Sequence, residues 1–163
     1  MTPDQKADRI IAGMVSTGVA TAVVPLPLGI PFMGAVAGGV VAIGACYSVS
    51  LSKDEAWKLI REFFKAAGFT FFALNVGWQF ITWITYATGA GAPVAMALDT
   101  TQCVAIAYAV GEAAKFYFSK QAFNRQLGAK LRGVEKTDTR ELGAIMRKAY
   151  RSKKTETTGH GAR

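Results

Sequence analysis

The chain has 163 residues, a length that allows one domain; 51% are hydrophobic and 18% charged, with a formal net charge of +8 and a mean hydropathy of +0.23. Its only histidine, His160, lies near the C-terminus, which disfavours histidine-dependent nucleophilic sites and histidine metal clusters, and no glycine-rich phosphate loop occurs. We therefore expect no enzyme, no cofactor and no metal site.

Charged residues divide the chain into blocks. No Asp, Glu, Lys or Arg occurs from Ile10 to Ser52 or from Ala66 to Leu98, and all 19 basic residues lie outside these two blocks. Each block contains one turn signal, around Pro25–Pro31 and Gly89–Pro93. If each block enters a membrane and returns, every Lys and Arg falls on one side, as the positive-inside rule describes for cytoplasmic ends. We therefore predict a membrane location with both termini cytoplasmic.

The net positive charge is confined to the C-terminal part. Basic and acidic residues balance over residues 1–118, so the whole excess arises from residues 119–163. A basic tail on a neutral body favours a polyanionic partner, here a membrane with anionic headgroups or an acidic protein. Nucleic acid is disfavoured because no recognised nucleic-acid-binding module is present. Cys46 and Cys103 have no metal or redox spacing and are interpreted as packing residues.

The first block predicts a helical hairpin. Its first helix should begin near Pro3 or Asp4, because proline suits the first turn and aspartate favours the positive end of the helix dipole. This helix should end near Val24, and the return helix should cover residues 32–49.

Glycines are expected to line the contact between these two helices. In an antiparallel pair centred near Leu28, Gly18 would pack near Gly38, and small residues there let two backbones approach closely. The glycines assigned to this contact are Gly13, Gly18, Gly34, Gly38 and Gly44, with Gly13 opposite Gly44.

Residues 52–55 form a helix-start signal. The sequence Ser-Lys-Asp-Glu is a capping box, in which the Ser52 side chain accepts from an early backbone N–H and Glu55 reaches back. Apolar residues then recur at helical spacing and include Trp57, a residue type favoured at membrane interfaces. Packing of this helix on the protein's own core is the alternative, and both stay open.

The second block predicts another hairpin with a polar seam. Residues 66–86 are apolar all round and form the best transmembrane candidate, with a return helix from Val94 to Phe118. Polar groups inside the hairpin should bond to one another, since an unsatisfied polar group in lipid costs several kcal/mol. The predicted seam consists of Asn75, Gln79, Thr82, Asp99 and Gln102. Asp99 serves either as part of this hydrogen-bonded seam or as a point on an ion or proton path.

Residues 119–151 predict a basic helical extension, followed by a disordered tail over residues 152–163. Asp138 and Glu141 resemble a second capping box, and a narrow apolar stripe follows. The stripe consists of Leu142, Ile145, Met146 and Ala149. This helix either docks on the bundle or binds anionic lipid or a partner protein. The predicted lipid or partner contacts are Trp57, Arg140, Arg147, Lys148 and Arg151.

Three features of the first half occur together: the run Val24-Pro25-Leu26-Pro27-Leu28-Gly29-Ile30-Pro31, Tyr47, and the run Leu51-Ser52-Lys53-Asp54-Glu55-Ala56. In this combination the chain resembles the bacterial YcjF-like domain of unknown function, which often accompanies small GTPase domains. The resemblance covers roughly residues 5–118, and it departs in lacking an acidic residue in the first turn and an attached GTPase domain. It implies a membrane-associated helical partner of a nucleotide switch and supplies no catalytic residues.

Together these patterns predict an all-α protein. Two antiparallel helical hairpins over residues 1–118 should form a four-helix, membrane-inserted bundle, with the basic amphipathic helix after it. The expected function is a non-enzymatic membrane-associated scaffold or adaptor for a protein partner such as a GTPase, and association between copies of the chain is compatible with it. Two alternatives stay open: a small transporter or oligomeric pore lined by the polar seam, and a soluble helical interaction module.

Overall fold

A computed structural model describes residues 1–22, 29–68, 92–126 and 136–159. These residues form five α-helices and no β-strand, which confirms the all-α class. The helices are α1 (Pro3–Ala22), α2 (Gly29–Cys46), α3 (Lys53–Ala67), α4 (Ala92–Gln126) and α5 (Lys136–Gly159).

The long helix α4 is the centre of the bundle. It packs extensively on α1 and α5, less on α2 and slightly on α3. All five helices contribute side chains to one buried cluster. Large members with 0–3% exposure are Ile11, Val40, Phe63, Val110 and Met146. Burial of such a side chain contributes about 1.5–3 kcal/mol to the free energy of unfolding. Helix α4 is therefore stabilised mainly by packing against helices that are distant from it in the sequence.

Helices α1 and α4 run antiparallel in close contact. Lys115 bonds to Asp8 near one end of the pair, and Gly18 lies against the Cys103 backbone near the other. Between them, a Cβ placed at Gly111 would lie 2.8 Å from Cγ1 of Ile11. The missing side chain at Gly111 therefore lets the two helices approach at their crossing.

Helices α1 and α2 form the predicted antiparallel hairpin, but in a different register. Gly18 lies against Phe32 rather than Gly38, and Met14 lies against Gly39. These partners lie earlier in α2 than predicted, because α1 ends at Ala22 and α2 begins at Gly29, which moves the midpoint of the pair toward residue 26.

The altered register changes which glycines serve in packing. Gly13, Gly34 and Gly38 are exposed, and a Cβ at any of them would meet nothing within 4 Å among the described residues. Gly18 and Gly44 are buried. A Cβ at Gly44 would lie 3.0 Å from Leu51 Cδ1 and 3.1 Å from the Val49 carbonyl oxygen, so Gly44 serves the α2–α3 corner rather than a contact with Gly13.

The corner between α2 and α3 is fixed by local hydrogen bonds. The Val49 N–H donates to the Gly44 carbonyl at 2.9 Å, and Ser48 takes a left-handed φ of 59°. The Tyr47 hydroxyl donates to the Asp4 carboxylate on α1. Burial, followed by this hydrogen bond, raises the pKa of Tyr47. The end of α2 is thereby joined to the start of α1.

The capping box at the start of α3 is confirmed. The Glu55 N–H donates to Ser52 Oγ at 3.2 Å, and the Ser52 N–H donates to Glu55 Oε2 at 2.7 Å. These bonds from the Ser52 backbone and side chain lower the pKa of Glu55. The helix ends before Gly68, whose φ of 100° lies in the region that favours glycine.

The last helix is longer than predicted. It begins at Lys136, so Asp138 lies inside its first turn, and it continues to Gly159 through most of the segment predicted to be disordered. Hydroxyls of Thr155 and Thr158 donate to carbonyls one turn earlier, at 2.9 Å each. Lys153 is held by Glu156 at 2.7 Å. The disorder prediction was based on the polar composition of residues 152–163, which gives no information about these local hydrogen bonds.

None of the described helices combines the length and the apolar character that a membrane crossing requires. Most of the best transmembrane candidate, residues 69–86, lies outside the described residues.

Candidate functional site

The last helix, α5, docks on the bundle through its apolar stripe. Leu142 and Met146 are at most 1% exposed, and Ala149 is 9% exposed. Gly143 lies directly against the Ala66 carbonyl oxygen, at a separation where a Cβ would collide with it. The helix therefore crosses the C-terminal end of α3 at a point that only glycine fits.

Arg147 fixes this crossing with a directed hydrogen bond. Its Nη1 donates to the Ala67 carbonyl at 2.9 Å. The last carbonyls of a helix have no partner within the helix, and a cation there also meets the negative end of the dipole. Arg147, which the sequence assigned to lipid or partner contact, is thus half-buried and caps α3.

The acidic residues of α5 are all held in ion pairs. Lys120 of α4 lies 2.5 Å from Asp138 and 3.1 Å from Glu141, and Lys153 lies 2.7 Å from Glu156. The hydrogen bonds to Asp138 and then to Glu141 raise the pKa of Lys120. Because each of these carboxylates is bonded to a lysine, none of them forms an ion pair with an outward cation of α5.

Four cations occupy the outer side of α5. Arg140, Lys148, Arg151 and Lys154 are exposed, and at about 100° per residue they fall on one side of the helix, opposite the buried stripe. We call these four residues the basic face. None of them forms an ion pair with another described residue. The Lys154 ammonium lies 5.8 Å from the Tyr150 ring centre.

The sequence identified three members of the basic face and missed the fourth. Arg140, Lys148 and Arg151 were predicted contacts, whereas Lys154 was assigned to a disordered tail. Lys154 follows Arg151 by three residues, and residues at this spacing lie on the same face of a helix. This signal could be used only if the helix was known to continue beyond Arg151.

Trp57, the remaining predicted contact, lies on α3. Its side chain is half-buried and packs against the common core. For this helix, packing on the protein's own core was the alternative to a membrane-interface location, and Trp57 takes part in that packing.

The predicted polar seam falls largely outside the described part of the chain. Asn75, Gln79 and Thr82 lie outside it; Asp99 lies on α4, but its side chain is not among those described. Gln102 is 4% exposed and accepts a hydrogen bond of 2.5 Å from the Tyr150 hydroxyl. That bond joins α4 to α5.

Clusters of His, Cys, Asp and Glu side chains could also supply a chemical site. Among the described residues, no group of three or more His, Cys, Asp or Glu side chains could hold a metal ion. Cys46 is half-buried and Cys103 buried, and neither forms a disulfide bond with another described residue. Comparison of the chain with protein-family models, curated proteins and solved structures gave no match.

Proposed function

We propose that this protein is a non-enzymatic helical adaptor that attaches to an anionic membrane surface through the basic face of α5. The observation that supports this function is the division of α5 into two sides. Its apolar stripe is buried in the bundle, while Arg140, Lys148, Arg151 and Lys154 are exposed without acidic partners among the described residues.

The expected mode of attachment is electrostatic. A Lys or Arg near an anionic leaflet contributes about 1 kcal/mol, so four such cations supply roughly 4 kcal/mol. Since each 1.4 kcal/mol is about tenfold in affinity, this attraction favours attachment by almost a thousandfold at low salt. Salt should weaken it, because exposed charges are screened within about 8 Å at physiological ionic strength.

Headgroup contact fits the docked helix better than insertion. An interfacial amphipathic helix buries its apolar side in the lipid boundary. In α5 that side includes Leu142 and Met146, which are already covered by the bundle. No described helix, α1 and α2 of the first hairpin included, is suited to cross a membrane. Insertion of the second hairpin stays a prediction, because residues 69–91 are not described.

The resemblance to the YcjF-like domain suggests the cargo of such an adaptor. A protein partner of the GTPase class would bind a surface other than the basic face, so that membrane and partner are held together. In the alternative interaction module, the same basic face would bind an acidic protein by charge complementarity. No described contact favours the transporter alternative.

The test is co-sedimentation of the full chain with vesicles of phosphatidylcholine alone or with about 30% phosphatidylserine, at low and high salt. The variant Arg140→Ala/Lys148→Ala/Arg151→Ala should lose about 100-fold in affinity for the anionic vesicles. A matched control, Lys53→Ala/Lys58→Ala/Arg61→Ala, removes three exposed cations from α3. Equal losses in both variants, or equal binding to both vesicles, would contradict the proposal.

A further inference from the structure

A groove of about 460 Å³ lies between α1, α4 and α5, on the described part of the bundle. One wall is apolar and is formed by Ile11, Ala12 and Val15 of α1. Polar groups project from Ser16 on α1 and from Tyr108 and Glu112 on α4. The volume lies within the range of small-molecule sites, and the groove combines an apolar wall with polar groups from two helices.

The helix periodicity explains why these groups converge. Tyr108 and Glu112 are four residues apart and share one face of α4, as Ala12 and Ser16 do on α1. The two helices approach closely at Gly111, next to Glu112 in the chain. The Ser16 hydroxyl donates to the Ala12 carbonyl at 3.0 Å, and its oxygen therefore keeps lone pairs that can accept a hydrogen bond.

One carboxylate of the groove forms no ion pair with a described residue, although Lys115 lies one turn further along the same helix. Asp8 lies 2.5 Å from Lys115, and Lys153 is paired with Glu156 while its ammonium lies 5.5 Å from the Tyr108 ring centre. Glu112 has no ion-pair partner among the described residues. Burial, and after it the charge of Glu112, raise the pKa of Tyr108, so its phenol stays protonated at neutral pH.

We propose that this groove binds a small aliphatic amine. The ammonium group pairs with the Glu112 carboxylate and donates a further hydrogen bond to Ser16 Oγ, and the alkyl body lies along Ile11, Ala12 and Val15. The cation is favoured over an anion because Lys115 and Lys153 already have carboxylate partners, whereas Glu112 does not. The basic face takes no part in this site, so the proposal is independent of membrane attachment.

The test is a titration of the full chain with hexylamine, in which amide chemical shifts and calorimetry monitor binding. The same titration with 1-hexanol serves as the uncharged comparison. Hexylamine should bind saturably with a Kd of about 1 mM or below, and hexanol at least tenfold more weakly. Glu112→Gln keeps the side-chain shape and should weaken hexylamine binding at least tenfold. Glu141→Gln, on the exposed part of α5, is the matched control and should bind as the parent does.

Two outcomes would overturn the amine site. One is the absence of saturable shifts in the parent up to about 10 mM, well beyond the expected Kd. The other is equal affinity of the parent and Glu112→Gln. Unchanged amide spectra of the free variants away from the groove show that both remain folded. Neither result bears on vesicle binding, which depends on the basic face.

Discussion

Helices α2 and α5 pack against the same central helix but are held by different chemistry. Helix α2 contains no charged residue and is fitted by shape, with Met14 lying against Gly39. Helix α5 buries a narrow stripe and adds directed bonds through Arg147 and Tyr150. Apolar contact has little directional preference, whereas hydrogen bonds fix the rotation of a helix. The directed bonds of α5 therefore determine that its basic face points outward.

A Gly→Ala substitution should lower the free energy of unfolding in α5 and raise it in α2. The loss in α5 is the largest effect that we expect. Gly143→Ala places a Cβ against the Ala66 carbonyl, a backbone group that cannot swing away, and should cost about 2–3 kcal/mol. Gly38→Ala, at an exposed position of α2, should gain about 0.5–1 kcal/mol, because alanine is the better helix former. Urea unfolding measures both. A Gly143→Ala protein as stable as the parent would show that α5 does not cross α3 at this point.

The second largest effect is a difference in stability between substitutions of two arginines of α5, one that caps α3 and one that belongs to the basic face. Arg147→Met removes the bond to the Ala67 carbonyl and should lower the free energy of unfolding by about 1.5 kcal/mol. Arg151→Met removes an exposed member of the basic face and should change it by less than about 0.5 kcal/mol. The pair is compared by urea unfolding and by vesicle binding. We expect Arg151→Met to weaken vesicle binding more than Arg147→Met does. A similar loss of stability in both variants would contradict the capping role of Arg147.

Local signals were readable from the sequence. The capping box of Ser52 and Glu55 depends on residues three apart, so it could be predicted without knowing the fold. The apolar stripe of α5 could also be predicted, since its helical period is local. The structure places Leu142 and Met146 of that stripe in the core.

Contacts between distant segments were not readable. The hairpin register depends on where α1 ends and α2 begins, and a small change in that midpoint moved the partner of Gly18 from Gly38 to Phe32. Arg147 was predicted to contact lipid or a partner because, like Arg140 and Arg151, it flanks the apolar stripe in the sequence. Only the crossing over α3 reveals its acceptor at Ala67, and periodicity carries no information about that crossing.

The bond between Tyr150 and Gln102 offers the smallest effect and adds a pH dependence to the comparison. Tyr150→Phe removes the hydroxyl donor and should cost about 1 kcal/mol at neutral pH. Burial raises the pKa of Tyr150 despite the opposing influence of Gln102. Its contribution is therefore fully present below the unfolded pKa of about 10 and is lost as pH rises through the folded pKa.

The stability difference between the parent and Tyr150→Phe should accordingly shrink at alkaline pH. Tyr47, Tyr108 and Tyr117 also have raised pKa values, and they remain in both proteins, so the difference isolates Tyr150. Urea unfolding at about pH 7 and pH 10.5, with the phenolate absorbance followed in parallel, measures it. A constant difference across this range would mean that the hydroxyl of Tyr150 ionises equally in the folded and unfolded chain, and this would contradict the burial of the Tyr150 hydroxyl between α4 and α5.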